Sequence, residues 1–358
     1  FMKCNIIFVI LQTAMKDIAV LDKMTGSSSR ITIAVHTHPD GDAVGSGTAL
    51  LSYLTEVRGK DAALIVPDSI PDTLSFISEG IEPGKIMVFD KERDKAEKWI
   101  SSSDTIFCMD CNSFSRTAEM ESFLRDAKAA KILIDHHLNP ERDSFDPVFS
   151  ETETSSTCEL LYTILMEMPD VRRDASALPR KCAASLLTGM TTDTNNFANS
   201  VFPGTFEMAA ALIGAGVDRD GILSSLYNNY RENRLRLMGF LMSERLRITP
   251  DGVAYIILDE DIQKRFDFRR GESEGFVNMP LSIATVRMSI FLTQEDGGFR
   301  VSVRSKKGTS ANLCAATYFN GGGHEQAAGG KLVVGKDLAS ASDAEAYILK
   351  ATGKFFAK

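Results

Sequence analysis

Short apolar runs alternate with amphipathic stretches over the first half of this 358-residue chain. The runs predict strands at residues 31–36, 62–66, 86–89, 105–110 and 131–135. The intervening stretches have apolar residues at helical spacing and predict helices at residues 43–57, 72–78, 92–101 and 117–129. Such alternation is typical of a parallel sheet with helices on both faces. We therefore predict an α/β domain of that architecture.

The remainder of the chain is first helical and then mixed. Helices are predicted at residues 156–168, 180–191, 205–215 and 233–246. Strands at 253–258, 285–293 and 299–303, with helices at 310–319 and 343–355, predict a smaller mixed α/β domain. The predicted organisation is an N-terminal helix at 1–28, a catalytic domain at 29–232, a helical linker at 233–250 and a substrate-binding domain at 251–358.

The N-terminal apolar run, residues 6–11, is too short for a membrane span, which needs about 20 apolar residues. It also lacks the small-residue cleavage site of a signal peptide. Apolar residues continue at helical spacing to Leu21, so a packed amphipathic helix is the prediction. With no export signal, we expect the protein in the cytoplasm and not at a membrane.

The formal charge of −8 argues against a protein that coats long nucleic acid, because such proteins are normally basic. No binding of long duplexes is therefore expected. A short phosphorylated ligand remains compatible with an acidic chain, provided that the positive charge is local. The sequence leaves a homodimer open.

Two of the six cysteines, Cys108 and Cys111, lie close together as Cys-Met-Asp-Cys. A pair at this spacing suggests a redox motif or half of a zinc site. No second pair completes a zinc site, and this pair ends a strand, whereas a redox pair usually opens a helix. We interpret both residues as buried small thiols on either side of Asp110.

Histidine and aspartate are concentrated where the predicted strands end. The carboxyl ends of parallel strands meet at one edge of a sheet, where ligands collect. A fourth segment reaches the same place at the end of the helix at 180–191. The side chains most suited to bind metal in these segments are His36, Asp40, Asp42, Asp110, His136 and Asp193.

Oxygen and imidazole ligands without thiolates favour manganese or magnesium over a structural zinc. Two histidines and four carboxylates exceed the needs of one ion. They match two ions about 3.5–4 Å apart that share a carboxylate and together activate a water for phosphoryl hydrolysis. The structural alternative treats the aspartates as turn formers and helix caps. It explains Asp42 or Asp104 individually, but not four converging segments.

The segments HTHPDGDAVGS (36–46), IDHH (134–137) and TTDTNNF (191–197), with Asp110 followed by Ser113 and Arg116, resemble the motifs of the DHH phosphoesterase superfamily. The segment GGGHEQAAGG (321–330) resembles the glycine-rich motif of the DHH-associated C-terminal domain. Chain length and the GGGH segment favour the NrnA group of oligoribonucleases and phosphoadenosine-phosphate phosphatases. RecJ-type nucleases, which share both domains, are longer, and family II pyrophosphatases and some exopolyphosphatases have a different second domain.

The resemblance implies a role for each matching residue. It assigns His36 and Asp40 to one manganese, and Asp42, His136 and Asp193 to the other, with Asp110 bridging. It makes Asp110, His136 and His137 catalytic, with His137 facing the scissile phosphate, and Arg116 a substrate contact. His38 stands where relatives have Asn, and Asn195 where they have Gly. We expect His38 to support the metal ligands without binding a metal itself. We expect the loop at Asn195 to differ in conformation from the loop of relatives that have glycine there.

The resemblance places further substrate contacts in the second domain. Glycines let the backbone approach a ligand closely and present amides to an anion. A basic strand end just upstream supplies local positive charge; the alternative is a tight glycine turn beside a solvated strand end. The predicted contacts, which hold the substrate end distal to the metals, are Arg304, Ser305, Gly321, Gly322, Gly323 and His324.

These predictions describe a manganese-dependent phosphoesterase that hydrolyses short single-stranded oligoribonucleotides, 3′-phosphoadenosine 5′-phosphate, or both, with magnesium as the alternative metal. Cyclic or linear dinucleotide turnover would use the same core. Exopolyphosphatase activity would require more lysine and arginine. A non-catalytic nucleotide sensor would lack a metal ligand, and every ligand is present. The sequence does not rank these substrates.

Overall fold

The computed structural model describes residues 17–357 of the chain. It divides into two compact units, Phe1–Asn228 and Asn229–Lys358. Residues 17–27 are helical, and the rest of the predicted N-terminal helix, residues 1–16, lies outside the described residues. Among the described helices, none is long and apolar enough to cross a membrane.

Unit 1 contains, within residues 17–228, a six-stranded sheet in the order β3-β2-β1-β4-β5-β6. Every neighbouring pair is parallel. The strands are β1 (Arg30–Ala34), β2 (Asp61–Val66), β3 (Ile86–Val88), β4 (Thr105–Met109), β5 (Ala130–Asp135) and β6 (Val148–Ser150). The first five confirm the predicted strands. The sequence analysis missed β6 because three half-buried residues form no recognisable apolar run.

The helices of unit 1 follow the strands in the expected alternation. They are α1 (17–27), α2 (Gly41–Ser52), α3 (Ser75–Ser78), α4 (Phe89–Ser101), α5 (Glu121–Asp126), α6 (Thr157–Met166), α7 (Arg180–Asp193), α8 (Pro203–Gly214) and α9 (Arg219–Tyr227). The helix α9 was not predicted. The region predicted as a helix at 117–129 contains a 3₁₀ turn, Phe114–Met120, before α5.

Both faces of the sheet in unit 1 are covered. On β1, Ile31 and Ile33 pack into a cluster that also contains Leu50 of α2. The opposite face of β1 carries Ala34, which packs with Ala96 of α4. This alternation follows from the two-residue period of a strand. The predicted parallel sheet with helices on both faces is confirmed.

The strand order reverses direction between β1 and β4. From β1 the chain moves outward through β2 and β3, and it then returns to place β4 on the other side of β1. Ligands of such sheets bind in the crevice beyond the carboxyl ends of the strands at this switch point. His36 and Asp110 follow the two strands that flank it.

Helices α2 and α7 pack unusually close together because glycines line their contact. A Cβ on Gly45 would lie 2.8 Å from the Ser185 carbonyl oxygen. One on Gly189 would lie 2.3 Å from Cys158 Sγ and 3.1 Å from Asp42 Cα. Real Cβ atoms do not approach other atoms so closely. The close approach brings the end of α7, and so Asp193, beside the start of α2.

Unit 2 contains, within residues 229–357, a second six-stranded sheet in the order β11-β12-β10-β9-β8-β7. Strands β8 and β9 are parallel, and the other neighbours are antiparallel. The strands are β7 (Arg247–Ile248), β8 (Val253–Leu258), β9 (Met288–Glu295), β10 (Gly298–Ser305), β11 (Gly322–Gly323) and β12 (Ala327–Val333). The helices are α10 (Glu232–Phe240), α11 (Glu260–Arg265), α12 (Ala311–Tyr318) and α13 (Ala344–Phe356).

The mixed α/β prediction for this unit is confirmed, with differences in detail. Helix α10 is followed by a π-helical turn, Leu241–Arg245, and Leu237 and Leu241 pack in a cluster with Ile256 and Phe276. Strands β11 and β12 were missed because their glycines carry little strand propensity. Close backbone packing explains them: a Cβ on Gly321 would lie 1.8 Å from the Gly329 carbonyl oxygen.

Gly189→Ala is expected to destabilise the protein by about 1–3 kcal/mol, because the added methyl group overpacks the α2–α7 contact. It should also displace Asp193, a predicted metal ligand, and so reduce the binding of divalent ions at the predicted site. Chemical denaturation and metal analysis of the purified variant measure both effects. Gly214→Ala is the matched control, since nothing lies within 4 Å of a Cβ there. Equal behaviour of the two variants would contradict the packing argument.

Candidate active site

The loop after β1 delivers three polar side chains to the switch point. Asp40 caps α2, and its Oδ1 accepts hydrogen bonds from the main-chain N–H groups of Asp42 (3.0 Å) and Ala43 (3.1 Å). His36 is buried, and its Nε2 lies 3.8 Å from Asp40 Oδ1. Asp42 is buried in the first turn of α2. A capping aspartate and a helical aspartate therefore both aim at the space beyond β1.

Asp110 lies at the centre of the site. It follows β4 in the left-handed region, with φ of 53°, and it is almost fully buried. Its Oδ2 lies 3.4 Å from His36 Nε2, while its Oδ1 lies 3.6 Å from His136 Nε2 and 3.5 Å from His137 Nδ1. A non-glycine residue in this conformation is uncommon and occurs often at functional sites. The backbone turn presents one carboxylate to three imidazoles.

His136 completes the cluster on the side of α7. Its Nε2 lies 3.7 Å from Asp42 Oδ2 and 3.4 Å from Asp193 Oδ2. Asp193 is the last residue of α7 and is partly accessible. All six predicted metal ligands therefore converge in unit 1.

Five of the six predicted ligands form two groups that share one residue. His36, Asp40 and Asp110 make one group, and Asp42, Asp110 and His136 make the other; within each, the donor atoms lie within 4.8 Å of one another. Carboxylate oxygens and imidazole nitrogens suit manganese, magnesium or zinc ions. The residues present thus fit divalent cations, and Asp110 is common to both groups.

Negative charge is concentrated in this site. Burial, together with the charges of Asp110 and Asp193, raises the pKa of Asp42 well above its ordinary value. Burial lowers the pKa of His36, but Asp110 and Asp40 outweigh it and raise that pKa to about 9. Burial likewise raises the pKa of Asp110, but His36 and His137 outweigh it and lower it well below its usual range. Protons or cations are needed to balance the carboxylates.

Helix α6 supports two of the carboxylates from its first turn. The main-chain N–H groups of Thr157 and Cys158 donate to Asp42 at 2.6 and 2.9 Å. The Thr157 hydroxyl donates to Asp110 Oδ1 at 2.9 Å. Carboxylates are stabilised at a helix N-terminus by the orphan amides and the helix dipole. Sequence reasoning missed Thr157, although Ser156 before it is a recognisable helix cap.

His137 is held by Asp135, two positions earlier in the sequence. Its Nδ1 lies 2.8 Å from Asp135 Oδ1, and its main-chain N–H donates to Asp135 Oδ2 at 3.0 Å. Asp135 is fully buried at the end of β5. The carboxylate fixes the orientation of the imidazole, as partners of active-site histidines commonly do.

The structure places His38 beside Asp68, a residue that sequence reasoning missed. Asp68 accepts from the His38 main-chain N–H at 3.0 Å and from the Thr37 hydroxyl at 2.8 Å. The His38 side chain is about half exposed, and its Nδ1 lies 3.6 Å from Asp68 Oδ2. Asp68 follows β2 in a Pro-Asp-Ser segment that resembles an ordinary turn. Its function is to brace the loop between His36 and Asp40.

The cysteine pair packs as the sequence analysis predicted. Cys108 and Cys111 are free and buried on either side of Asp110. The Cys111 thiol donates to the Ser113 carbonyl at 3.0 Å.

Arg116 and Asn195 border the cluster. The Arg116 carbonyl accepts a hydrogen bond from the Thr37 N–H at 2.7 Å. Burial and the positive charge of Arg116 both act to lower the pKa of His36, although its carboxylate neighbours raise that pKa overall. The half-buried side chain of Arg116 is therefore near the predicted metal ligands. Asn195 has a φ of 47° and so adopts the left-handed conformation expected of a glycine. Asparagine tolerates this conformation, which keeps the turn after Asp193 intact.

The predicted substrate contacts of unit 2 cluster around β10 and β11. Arg304 is half-buried, and its Nη1 donates to the Val303 carbonyl at 3.0 Å. Ser305 is buried, and its hydroxyl donates to the Thr309 carbonyl at 2.6 Å. The side chain of His324 is partly accessible at the tip between β11 and β12.

The expectation that the glycine segment presents its amides to an anion needs correction. The main-chain N–H groups of Gly321 and His324 donate to the carbonyls of Ala315 and Ala327, at 3.2 and 2.7 Å. That of Gly323 donates to Asn312 Oδ1 at 3.0 Å. These donors are used within unit 2, because the glycines permit close backbone packing. The glycines at 321 and 323 thus have a structural explanation of their own.

Comparison with known proteins extends over both units. Residues 30–190 match the DHH family, N-terminal domain, and residues 252–351 match the DHHA1 domain. The bifunctional oligoribonuclease and PAP phosphatase NrnA of Bacillus subtilis is 27% identical over 307 residues, covering 84% of this chain and 89% of that protein. The NrnA of Thermus thermophilus is 30% identical over 308 residues, covering 84% of each.

A solved structure is also similar to this one. The exopolyphosphatase-related protein from Bacteroides fragilis superposes with a TM-score of 0.85 at 34% identity. The match covers 95% of this chain and 96% of that one.

Asp110→Asn is expected to lower the manganese bound per chain and to abolish hydrolysis of a nitrophenyl phosphodiester, because it removes the charge common to both donor groups. Asparagine keeps the side-chain shape and tolerates the left-handed backbone. His38→Ala should retain the bound manganese and lose roughly 10–100-fold in rate, as expected for a residue behind the ligands. Metal analysis and steady-state kinetics measure both. Complete inactivation with metal loss in His38→Ala would make His38 a ligand.

Proposed function

This chain belongs to the DHH family and is a phosphoester hydrolase, and from that premise we propose that it hydrolyses short oligoribonucleotides and 3′-phosphoadenosine 5′-phosphate. Two relatives that it matches over most of their length carry both activities in their names. A cytoplasmic location belongs to the same proposal, since such nucleotide fragments arise there.

The observation that carries the proposal is the pair of donor groups that share Asp110. We assign His36 and Asp40 to one divalent ion, Asp42, His136 and Asp193 to the other, and Asp110 to both. Two such ions, when bound, lower the pKa of a water and stabilise the charge that develops on a phosphoryl group. Manganese is the proposed metal, with magnesium as the alternative, because the assigned donors include no thiolate.

The chain's own residues position the phosphate. Asp135 orients His137, which we place against a non-bridging oxygen of the scissile phosphate. Arg116 adds positive charge at the edge of the ligand cluster. Together these groups restrain the phosphate and offset its negative charge, which lowers the barrier by orientation and electrostatics.

We assign Arg304 and His324 of unit 2 to the end of the substrate distal to the metals. Arg304, Lys306 and Lys307 concentrate positive charge in an acidic chain. If Ser305 contacts the substrate, its hydroxyl must break its hydrogen bond to the Thr309 carbonyl and donate to the ligand instead. Gly321 and Gly323 would serve by shaping the backbone, and Gly322 by leaving room for a ligand.

Product analysis after incubation with manganese and a substrate panel tests the proposal. The panel contains a dinucleotide, a five-residue RNA, 3′-phosphoadenosine 5′-phosphate, a cyclic dinucleotide and polyphosphate. Preferential turnover of the first three supports the proposal. Turnover of only the cyclic dinucleotide or polyphosphate would replace the substrate assignment, and turnover of none would favour a nucleotide sensor.

His324→Ala is expected to leave manganese binding intact and to lower the rate of dinucleotide cleavage by at least roughly tenfold, because remote binding energy positions the reacting phosphate. A nitrophenyl phosphodiester, which lacks the distal nucleotide, should be affected less. Lys336→Ala, at an exposed cation of the same unit, is the control. Loss of manganese, or equal impairment of both substrates, would move His324 into the catalytic cluster.

A further inference from the structure

Two phenylalanines stack at the surface just beyond the ligand cluster of unit 1. Phe197 and Phe206 have ring centroids 5.4 Å apart and ring planes inclined by 16°. Phe197 packs partly against the core, whereas 54% of Phe206 is exposed. A parallel aromatic pair with an open outer ring is a surface on which another flat ring can stack.

Arg219 adds a planar cation to this pair. Its Cζ lies 6.0 Å from the centroid of the Phe197 ring. Its Nη2 donates to Asn196 Oδ1 at 2.8 Å, which fixes the guanidinium beside the aromatic pair. Aromatic rings together with an arginine are the groups that bind unpaired nucleobases by stacking and cation–π attraction.

The turn that carries Phe197 is tied to the end of α7. The Asn196 N–H donates to the Thr191 carbonyl at 2.8 Å, and the Phe197 N–H donates to Thr194 Oγ1 at 3.0 Å. Phe197 follows Asp193 by four residues, so their Cα atoms lie at most about 14 Å apart. Phe197 has a φ of 67°, an unfavourable conformation for a bulky side chain. The surrounding turn therefore holds this ring in place against a local preference.

Phe206 lies on α8, which is hydrogen-bonded to the first turn of α6. It follows Thr205, whose hydroxyl donates to Glu159 Oε2 at 2.7 Å. Glu159 lies in the first turn of α6, the turn whose main chain supports Asp42. Phe197 thus follows the helix that ends in Asp193, and Phe206 is connected through Thr205 and Glu159 to the helix turn that supports Asp42.

We propose that Phe206, backed by Phe197 and Arg219, stacks the nucleobase of the nucleotide whose phosphate is bound at the ligand cluster. The inference rests on the proposed function, and it adds a base-binding subsite in unit 1. Stacking tolerates any base, because every base offers a π face. The subsite accordingly selects for nucleotides over base-free phosphoesters without reading sequence.

Phe206→Ala tests this subsite with a matched pair of substrates in manganese buffer. One is a dinucleotide, and the other is the same molecule with an abasic residue in place of each nucleoside. We expect the KM for the dinucleotide to rise roughly 5- to 150-fold, the range spanned by stacking of a single base. Kinetics with the abasic substrate should stay unchanged, and Phe206→Trp should restore the low KM.

Ile213→Ala is the matched control, since it removes an exposed apolar side chain from the same helix. It should change neither substrate's KM. Unchanged dinucleotide kinetics in Phe206→Ala would overturn the subsite, as would an equal loss on both substrates. If size-exclusion chromatography shows a wild-type dimer and a Phe206→Ala monomer with an unchanged KM, the rings form a contact between copies instead. If the wild-type protein cleaves neither substrate, the proposed function fails, and the subsite fails with it.

Discussion

Mutual repulsion among buried carboxylates is the constraint on which the rest of unit 1 depends. Asp42 and Asp110 are both within a few per cent of complete burial, and Asp40 and Asp193 flank them. Burial of unpaired charge costs several kcal/mol per ion. The fold offsets part of that cost with imidazoles, with the first amides of α6 and with the Thr157 hydroxyl. A divalent cation bound among these carboxylates would offset the rest of that cost.

Several features of the backbone are explained by this cluster of charges. Glycines between α2 and α7 allow two helices to approach until their aspartates share one space. The capping carboxylate of Asp40 satisfies the start of α2 while it remains at the edge of the site. Asp68, in turn, anchors the loop between His36 and Asp40 through main-chain hydrogen bonds. The same residues therefore serve the helix ends and the ligand geometry.

The sequence was sufficient for the architecture of unit 1 and for the convergence of the six candidate ligands, because strand periodicity and the parallel sheet together fix which residues reach the switch point. It was insufficient for groups whose role depends on distant partners. Thr157 looks like any residue after a helix cap, and its bond to Asp110 spans 47 positions. Asp68 looks like a turn former. Strands β11 and β12 were missed because their pairing depends on close packing that glycine permits and not on apolar pattern.

The left-handed backbone of Asp110 affects which substitutions at this position would stabilise the protein. The left-handed conformation costs most non-glycine residues about 1–2 kcal/mol and an aspartate less, because its side chain can hydrogen-bond locally, and the buried charge adds to the cost. Most proteins sit only a few kcal/mol above the stability they need, so replacement by glycine would be a stabilising step once the carboxylate had lost its use. A lineage that kept only ligand sensing would be free to take that step. The strained, buried aspartate at this position therefore lowers stability, and its contacts with three imidazoles are what a glycine there would lack.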